Sequence, residues 1–276
     1  MNAVLTVAHK EFRDGLRNRW VLAISLMLGL LAVGIAYFGA AASGSVGFTS
    51  LSTTVVSLSS LAVFLIPLIA LLLAYDAVVG EQEQGTLLLL LTYPMPRSAL
   101  LLGKFLGHGL ILAVATVIGF GVAGAVIGLG AEDIAPGELL RAFAVFILSA
   151  VLLGWAFIAL AYLISVLVVE KARAAGLALL VWFLFVLVFD LALLALLVGA
   201  DGKAGAGWLP YLLLFNPTDC FRLVNLAGFE AAQAYSGLLS VADSAFANPA
   251  ALCGALALWT ILPLSLAVWR FRRRQI

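Results

Sequence analysis

The sequence predicts an all-α integral membrane protein, with six transmembrane helices in one chain and both termini on the cytoplasmic side. Composition is the first of three observations behind this. Hydrophobic residues make up 64% of the chain and charged residues 11%, with a mean hydropathy of +1.18, whereas soluble proteins are close to half apolar and about a quarter charged. The apolar runs are the second. They are continuous and long enough for the roughly 20 residues a helix needs to cross about 30 Å of hydrocarbon, and they lack the alternation over about ten residues that marks barrel strands. The third is the placement of the cations. With both termini inside, the cytoplasmic side holds Lys10, Arg13, Arg17, Arg19, Arg97, Lys104, Lys171, Arg173, Arg270, Arg272, Arg273 and Arg274, and the outside holds only Arg141, Lys203 and Arg222. That asymmetry satisfies the positive-inside rule.

Residues 1–19 read as an amphipathic helix at the cytoplasmic interface. Leu5, Ala8, Phe12 and Leu16 recur at helical spacing, while Lys10, Arg13, Asp14 and Arg17 take other faces. Such a helix is expected to lie in the headgroup plane with its cations toward anionic lipid, and Lys10, Arg13 and Arg17 to offer a secondary docking surface to a cytosolic partner. The first span is 20–42. Its end, Ala40-Ala41-Ala42-Ser43, imitates a cleavage site. The charged region before it is long, its apolar core exceeds the usual length of about 7 to 15 residues, and the numbering starts at Met1, so it is expected to remain as an anchor.

A polar, uncharged loop (43–54) leads to the second span, 55–79, which contains Pro67, a kink that neighbouring helices can satisfy, and Asp76 near its end. After the segment 80–98 comes the third span, 99–129. An acidic loop with Glu132, Asp133, Pro136 and Glu138 precedes the fourth, 139–168, and Glu170, Lys171 and Arg173 make a tight turn into the fifth, 174–198. The outer region 199–248 joins a glycine-rich loop (202–207), an apolar stretch (208–215) and the turn signal Asn216-Pro217-Thr218-Asp219. Short helices are expected there, some re-entrant or lying on the membrane. The sixth span, 250–269, ends in a basic tail, 270–276. Trp20, Trp208, Tyr211, Trp259 and Trp269 fall near span ends and read as an aromatic belt.

The segment 80–98 is the stretch that no span absorbs. It begins Gly80-Glu81-Gln82-Glu83-Gln84-Gly85-Thr86, continues with leucine from Leu87 to Leu91, and reaches Pro94 and Pro96. So short a leucine run cannot cross the bilayer, and it is buried either in the membrane interface or in a groove on a partner. Asp76, Glu81 and Glu83 are expected to pair with cations such as Lys10, Arg13 or Arg173 where helices meet, rather than to catalyse.

Several chemistries are excluded by pattern. Gly103-Lys104 is followed by Phe105 and Gly202-Lys203 by Ala204, so no phosphate-cradling G-x-x-x-x-G-K-[ST] occurs and the chain is expected to bind no nucleotide in that way. A net charge of +1 and the lack of a basic stretch interleaved with aromatics argue against nucleic acid. Cys220, Cys253, His9, His108, Met1, Met27 and Met95 are scattered, and no metal site is expected. Cys220 reads as a packing residue. Its place beside Asp219 makes it the residue to suspect if the outer segment met copper or a sulfur species.

Asp190 is the one ionisable residue deep within a span, where insertion costs about 2.5–3.5 kcal/mol. It reads either as a protonated acid hydrogen-bonded to a neighbouring helix or as a substrate or proton site. His108, in the third span, reads as a hydrogen-bonding partner of a neighbouring helix.

The order Gly80, Glu81, Glu83, Gly85, Thr86, Pro94, Arg97, Gly103 and Lys104 resembles the coupling segment of ABC-2-type transporter permeases. The stretches 3–20, 71–94, 174–198 and 212–223 look, further, like the permeases of nitrous-oxide reductase maturation systems. The resemblance implies an ABC-2 (type V exporter-like) fold in the bacterial inner membrane. It implies a homodimer bound to two copies of a cytosolic ABC ATPase that holds the ATP and Mg, with no cofactor on this chain, and a periplasmic maturation protein above it. The role implied is assembly of the copper centre of nitrous-oxide reductase, with a sulfur compound, copper or mechanical work alone as the thing delivered.

On this resemblance Glu81, Glu83, Gly85, Thr86, Leu87, Leu88, Leu89, Leu90 and Leu91 form the ATPase coupling interface. Three other readings stand beside it: an ABC-2 exporter of lipid, polysaccharide or drug, a motor-free membrane scaffold for a periplasmic maturation factor, and an ion-coupled transporter using Asp190.

Overall fold

Helices account for nearly all of the computed structural model, which describes residues 3–17, 19–38, 47, 50–130, 134–199, 209–226 and 248–274. In chain order they are α1 (Ala3–Arg17), α2 (Trp20–Phe38), α3 (Leu51–Ala74), the short α4 (Val79–Glu83) and α5 (Thr86–Leu91), then α6 (Arg97–Gly130) and α7 (Pro136–Leu167). α8 (Lys171–Phe183) continues through a π turn (Leu184–Val188) into α9 (Phe189–Gly199), and α10 (Leu209–Leu213), α11 (Pro217–Leu226) and α12 (Pro249–Arg273) complete the chain. Six stretches are long and apolar enough to cross a membrane: Val21–Phe38, Leu51–Glu83, Arg97–Gly130, Pro136–Leu167, Lys171–Leu196 and Pro249–Arg273. No strand occurs among the described residues. The expectations for Glu132, Asp133, the glycine-rich loop with Lys203, Trp208 and residues 227–247 lie outside them.

Local chemistry sets the helix starts. Ser50 caps α3 by accepting the Thr53 N–H, and Asn248 caps α12 by accepting the Ala250 N–H at 3.0 Å. Pro136 and Pro249 open α7 and α12, where a missing N–H costs nothing.

Within lipid, helices gain little from hiding apolar surface, so contact depends on close packing of small residues. Gly119 of α6 supplies it. A Cβ there would lie 2.8 Å from the Leu28 Cβ and 2.9 Å from the Ser25 carbonyl oxygen of α2. α7 is the central helix, packed on α3, α6, α11 and α12. Phe146 on α7 meets Phe120 of α6 and Phe221 of α11 edge-on or tilted, with ring centroids at 4.8 and 5.9 Å.

α11 lies buried among α3, α7, α12 and the π turn. The Asn225 amide donates to the Ser149 hydroxyl near the middle of α7 at 2.9 Å, and the Trp259 indole N–H of α12 donates to the Leu214 carbonyl at 3.0 Å. The chain after α9 thus returns into the bundle. The π turn leaves the Phe185 carbonyl free of its helical partner, and the Asn216 amide and Thr218 hydroxyl donate to it at 2.9 and 3.4 Å.

Both ends of the described chain meet at one end of the bundle. The Arg97 guanidinium at the start of α6 donates to the Arg274 carbonyl at 2.6 Å, and the Arg274 guanidinium donates to the Val166 and Val168 carbonyls at 3.0 and 3.1 Å. α1 runs alongside α6 in the same direction, with Val7 against Gly103, Glu11 against Gly107 and Gly15 against Ile111. This basic end also carries α4, α5 and the turn between α7 and α8.

Candidate coupling interface

At the basic end α3 stops at Ala74, and the chain passes through turns at residues 75–78 into α4. One buried hydroxyl holds that turn. Ser165, near the end of α7, accepts the backbone N–H groups of both Val78 and Val79 at 3.0 and 3.1 Å. Gly85 then makes the corner into α5 with φ +72°, a left-handed conformation that a Cβ opposes. The Thr86 hydroxyl donates across the corner to the Glu81 carbonyl at 3.2 Å.

α5 divides its leucines between two faces, as residues three and four apart share a side of a helix. Leu87 is 1% exposed and belongs to the core, with Leu90 and Leu91 packed half-buried beside it. Leu88 and Leu89 point away, 57% and 66% exposed, and Tyr93 extends the same apolar knob at 61%. Three leucines anchor the segment and two are presented.

Charges fix the segment to its neighbours. The Lys104 ammonium of α6 is buried between Glu81, at 2.7 Å, and Glu11 of α1, at 3.1 Å. Lys10 adds contacts to Glu11 at 3.1 Å and Asp14 at 3.4 Å. Burial alone would raise the Glu11 carboxyl, but Lys104 and Lys10 outweigh it and hold the group below its ordinary value of 4.5. Burial pulls the other way on Lys10, and its two acidic neighbours again prevail and raise it. Glu83 accepts the backbone N–H of Lys171, the first residue of α8, placing an anion at a helix N-terminus. The Lys171 side chain turns to Asp76 at 2.7 Å.

The partners differ from those the sequence suggests. Asp76, Glu81 and Glu83 meet Lys171, Lys104 and the start of α8 rather than Lys10, Arg13 or Arg173, and Lys10 is held by Glu11 and Asp14 of its own helix. Arg173 pairs with Glu170 at 2.9 Å, while Arg13 and Arg17 lie exposed on the outer face of α1.

His108 and Asp190 stand apart from α5. The His108 Nδ1 is 2.8 Å from the Tyr162 hydroxyl, joining α6 to α7. Asp190 accepts from the Arg222 guanidinium at 2.6 Å, and Arg222 also reaches Asp219 at 3.1 Å. Sequence reasoning missed this pairing. It counted Arg222 among the cations of the outer region and gave Asp190 no named partner, although Asp219 and Arg222 at i, i+3 within an otherwise apolar stretch were the available signal. Cys220 is fully buried, its thiol directed at the Leu213 and Leu214 carbonyls, so it packs.

The sequence model of the ABC-2 family transporter proteins matches residues 5–276. The chain belongs to the ABC-2 transporter family. It is 59% identical over 274 residues to the probable ABC transporter permease protein NosY of Stutzerimonas stutzeri, covering 99% of each chain. To the protein of the same name from Pseudomonas aeruginosa it is 59% identical over 276 residues, the whole of both chains. This ABC-2 protein is therefore a permease subunit of an ABC transporter, a multi-pass protein of the bacterial inner membrane, in a family whose ATPase is a separate subunit.

Proposed function

We propose that the exposed face of α5 is where the separate ATPase docks, and that nucleotide-driven movement of this subunit is passed through α4 and α5 to the spans. The observation that carries the reading is the division of the leucine run. An apolar knob of Leu88, Leu89 and Tyr93 stands at the basic end while its own helix is anchored by Leu87 and by Ser165. Exposed apolar surface of this kind marks an interaction site. Force on α5 has three outlets: through Glu81 and Lys104 to α1 and α6, through Glu83 to α8, and through Val78 and Val79 to α7.

The basic end faces the cytoplasm in this account, because it gathers most of the described cations. Arg13 and Arg17 supply a secondary contact for the ATPase, with Lys10 holding α1 in shape. The chain itself hydrolyses nothing and holds no cofactor. ATP and Mg belong to two copies of the ATPase, one for each permease of a homodimer, and a periplasmic protein sits on the outer side. Identity of 59% over essentially the whole length to proteins named NosY, together with the stretches described above, supports a role in maturing the copper centre of nitrous-oxide reductase.

The test is co-purification of the tagged chain from its native host, with mass spectrometry of what is retained. Recovery of an ABC ATPase, a second copy of the chain and a periplasmic protein is the expected result. Recovery of the chain without any ATPase under gentle detergent conditions overturns the reading. An exporter of lipid, polysaccharide or drug would instead show cargo-stimulated ATPase activity after reconstitution.

A further inference from the structure

A groove of about 610 Å³ opens between α1, α2, α3 and α6, away from the knob of α5. Its walls are apolar, built chiefly from Ile24 and Met27 of α2 and from Leu65, Leu68, Ile69 and Leu72 of α3. One end is polar and acidic. There Glu11 and Asp14 of α1, Asp76 and His108 line the space, and no lysine or arginine is among the lining residues. From Leu65 to Asp76 the wall runs about 16 Å at roughly 1.5 Å per residue, close to half of the hydrocarbon thickness of about 30 Å. The groove therefore has the length of one leaflet. Met27 and Leu72 are substantially exposed along it, so its flank opens where lipid tails lie.

We propose that this groove holds one membrane lipid with an ammonium headgroup, phosphatidylethanolamine. The acyl chain lies along α2 and α3, and the ammonium, with its three N–H donors, sits among Glu11, Asp14 and Asp76. Charge decides between lipids. Glu11, Asp14 and Asp76 are already paired with Lys104, Lys10 and Lys171, but none of those lysines lines the groove. The groove itself therefore presents carboxylate oxygens, which favour a headgroup with a primary ammonium over the net-anionic headgroups of phosphatidylglycerol and cardiolipin. Lys10, held at 3.1 and 3.4 Å from Glu11 and Asp14 and largely exposed, is the cation beside which the phosphate of a zwitterion rests. The lipid would fill the gap between α2 and α3, whose mutual contact is sparse compared with the packing of α2 on α6 and of α3 on α7.

The inference does not depend on the ATPase, and its test uses the full chain alone. The chain is purified in mild detergent from membranes containing phosphatidylethanolamine, phosphatidylglycerol and cardiolipin, washed, and its retained lipid measured by native mass spectrometry. Asp14→Lys changes the charge of the polar end, and Met27→Trp fills the apolar wall. Both sites are partly exposed, and thermal unfolding equal to wild type verifies that the variants fold. The expected result is one phosphatidylethanolamine retained per wild-type chain in preference to anionic lipid, falling roughly tenfold in each variant. Equal or greater retention of phosphatidylglycerol or cardiolipin, no lipid retained by wild type, or retention unchanged by both substitutions overturns it.

Discussion

Replacing Lys104 by methionine tests whether the basic end is held by charge. The Lys104 side chain is 6% exposed, its ammonium 2.7 Å from Glu81 and 3.1 Å from Glu11. Lys104→Met keeps the length and apolar stem of the side chain while leaving two carboxylates facing each other in a site that water barely reaches. Removing one partner of a buried pair costs about 3–5 kcal/mol, because the remaining charge is stranded. In an equilibrium constant that exceeds roughly a hundredfold. Arg173→Met is the control. Its pair with Glu170 is exposed on both sides, at 68% and 55%, and such pairs contribute about 0–1 kcal/mol.

The assay is equilibrium unfolding in mixed micelles, followed by circular dichroism, at several pH values. In wild type the Glu11 carboxyl lies below its ordinary value of 4.5, so its stabilising contribution is complete at neutral pH and is lost as pH falls through that depressed value. In Lys104→Met the sign reverses. The burial that pushes the Glu11 carboxyl up is then opposed by Lys10 without Lys104, so Glu11 takes up a proton more readily than in wild type and the variant recovers part of its lost stability as pH falls from 7 toward 4.5. Equal, small losses for Lys104→Met and Arg173→Met, or a Lys104→Met penalty indifferent to pH, would refute the reasoning.

Gly103→Val should push α1 off α6, since even a Cβ at Gly103 would lie 2.6 Å from the Val7 Cβ and 2.8 Å from the Val4 carbonyl oxygen. Overpacking of this kind costs about 1–3 kcal/mol, and the same unfolding assay measures it. Ser165→Ala strands the Val78 and Val79 N–H groups, at a cost of about 1–3 kcal/mol for each one left unpaired, and should speed amide hydrogen exchange at the turn between α3 and α4. Arg222→Met leaves Asp190 and Asp219 without their shared cation. A loss of about 3 kcal/mol or more is expected, smaller when Asp190→Asn is present in the same chain, and a double-mutant cycle reads the difference.

The spans were legible because each carries a continuous apolar run long enough to cross a bilayer, a signal that survives without knowledge of neighbours. The coupling segment was legible as an anomaly, a leucine run too short to span and bracketed by glycine, acid and proline. Which of its leucines face outward was not, because five consecutive leucines carry no periodicity. The Gly85 corner, the Thr86 bond across it and the hold of Ser165 set the rotation of α5.

Lys104 was visible as the lysine of a Gly-Lys pair. That it closes a bridge between α1 and α4 depends on α1 running beside α6, through Gly103 and Gly107, which no local pattern encodes. The partner of Arg222 was missed for a related reason. Charge counting assigns a cation to a side of the membrane, and α11 returns the residue into the bundle to meet Asp190.

The most direct test of the account is photocrosslinking from α5 in intact cells. A photoreactive residue replaces Leu88, Leu89 or Tyr93 in turn, with Leu87 as a buried control and Leu140, exposed at the far end of α7, as a control on the opposite side. The account predicts adducts with the ABC ATPase from positions 88, 89 and 93, none from 87 or 140, and loss of ATPase co-purification in Leu89→Asp with the fold intact. Adducts to lipid alone from all three exposed positions, with the ATPase still co-purifying with Leu89→Asp, would contradict it.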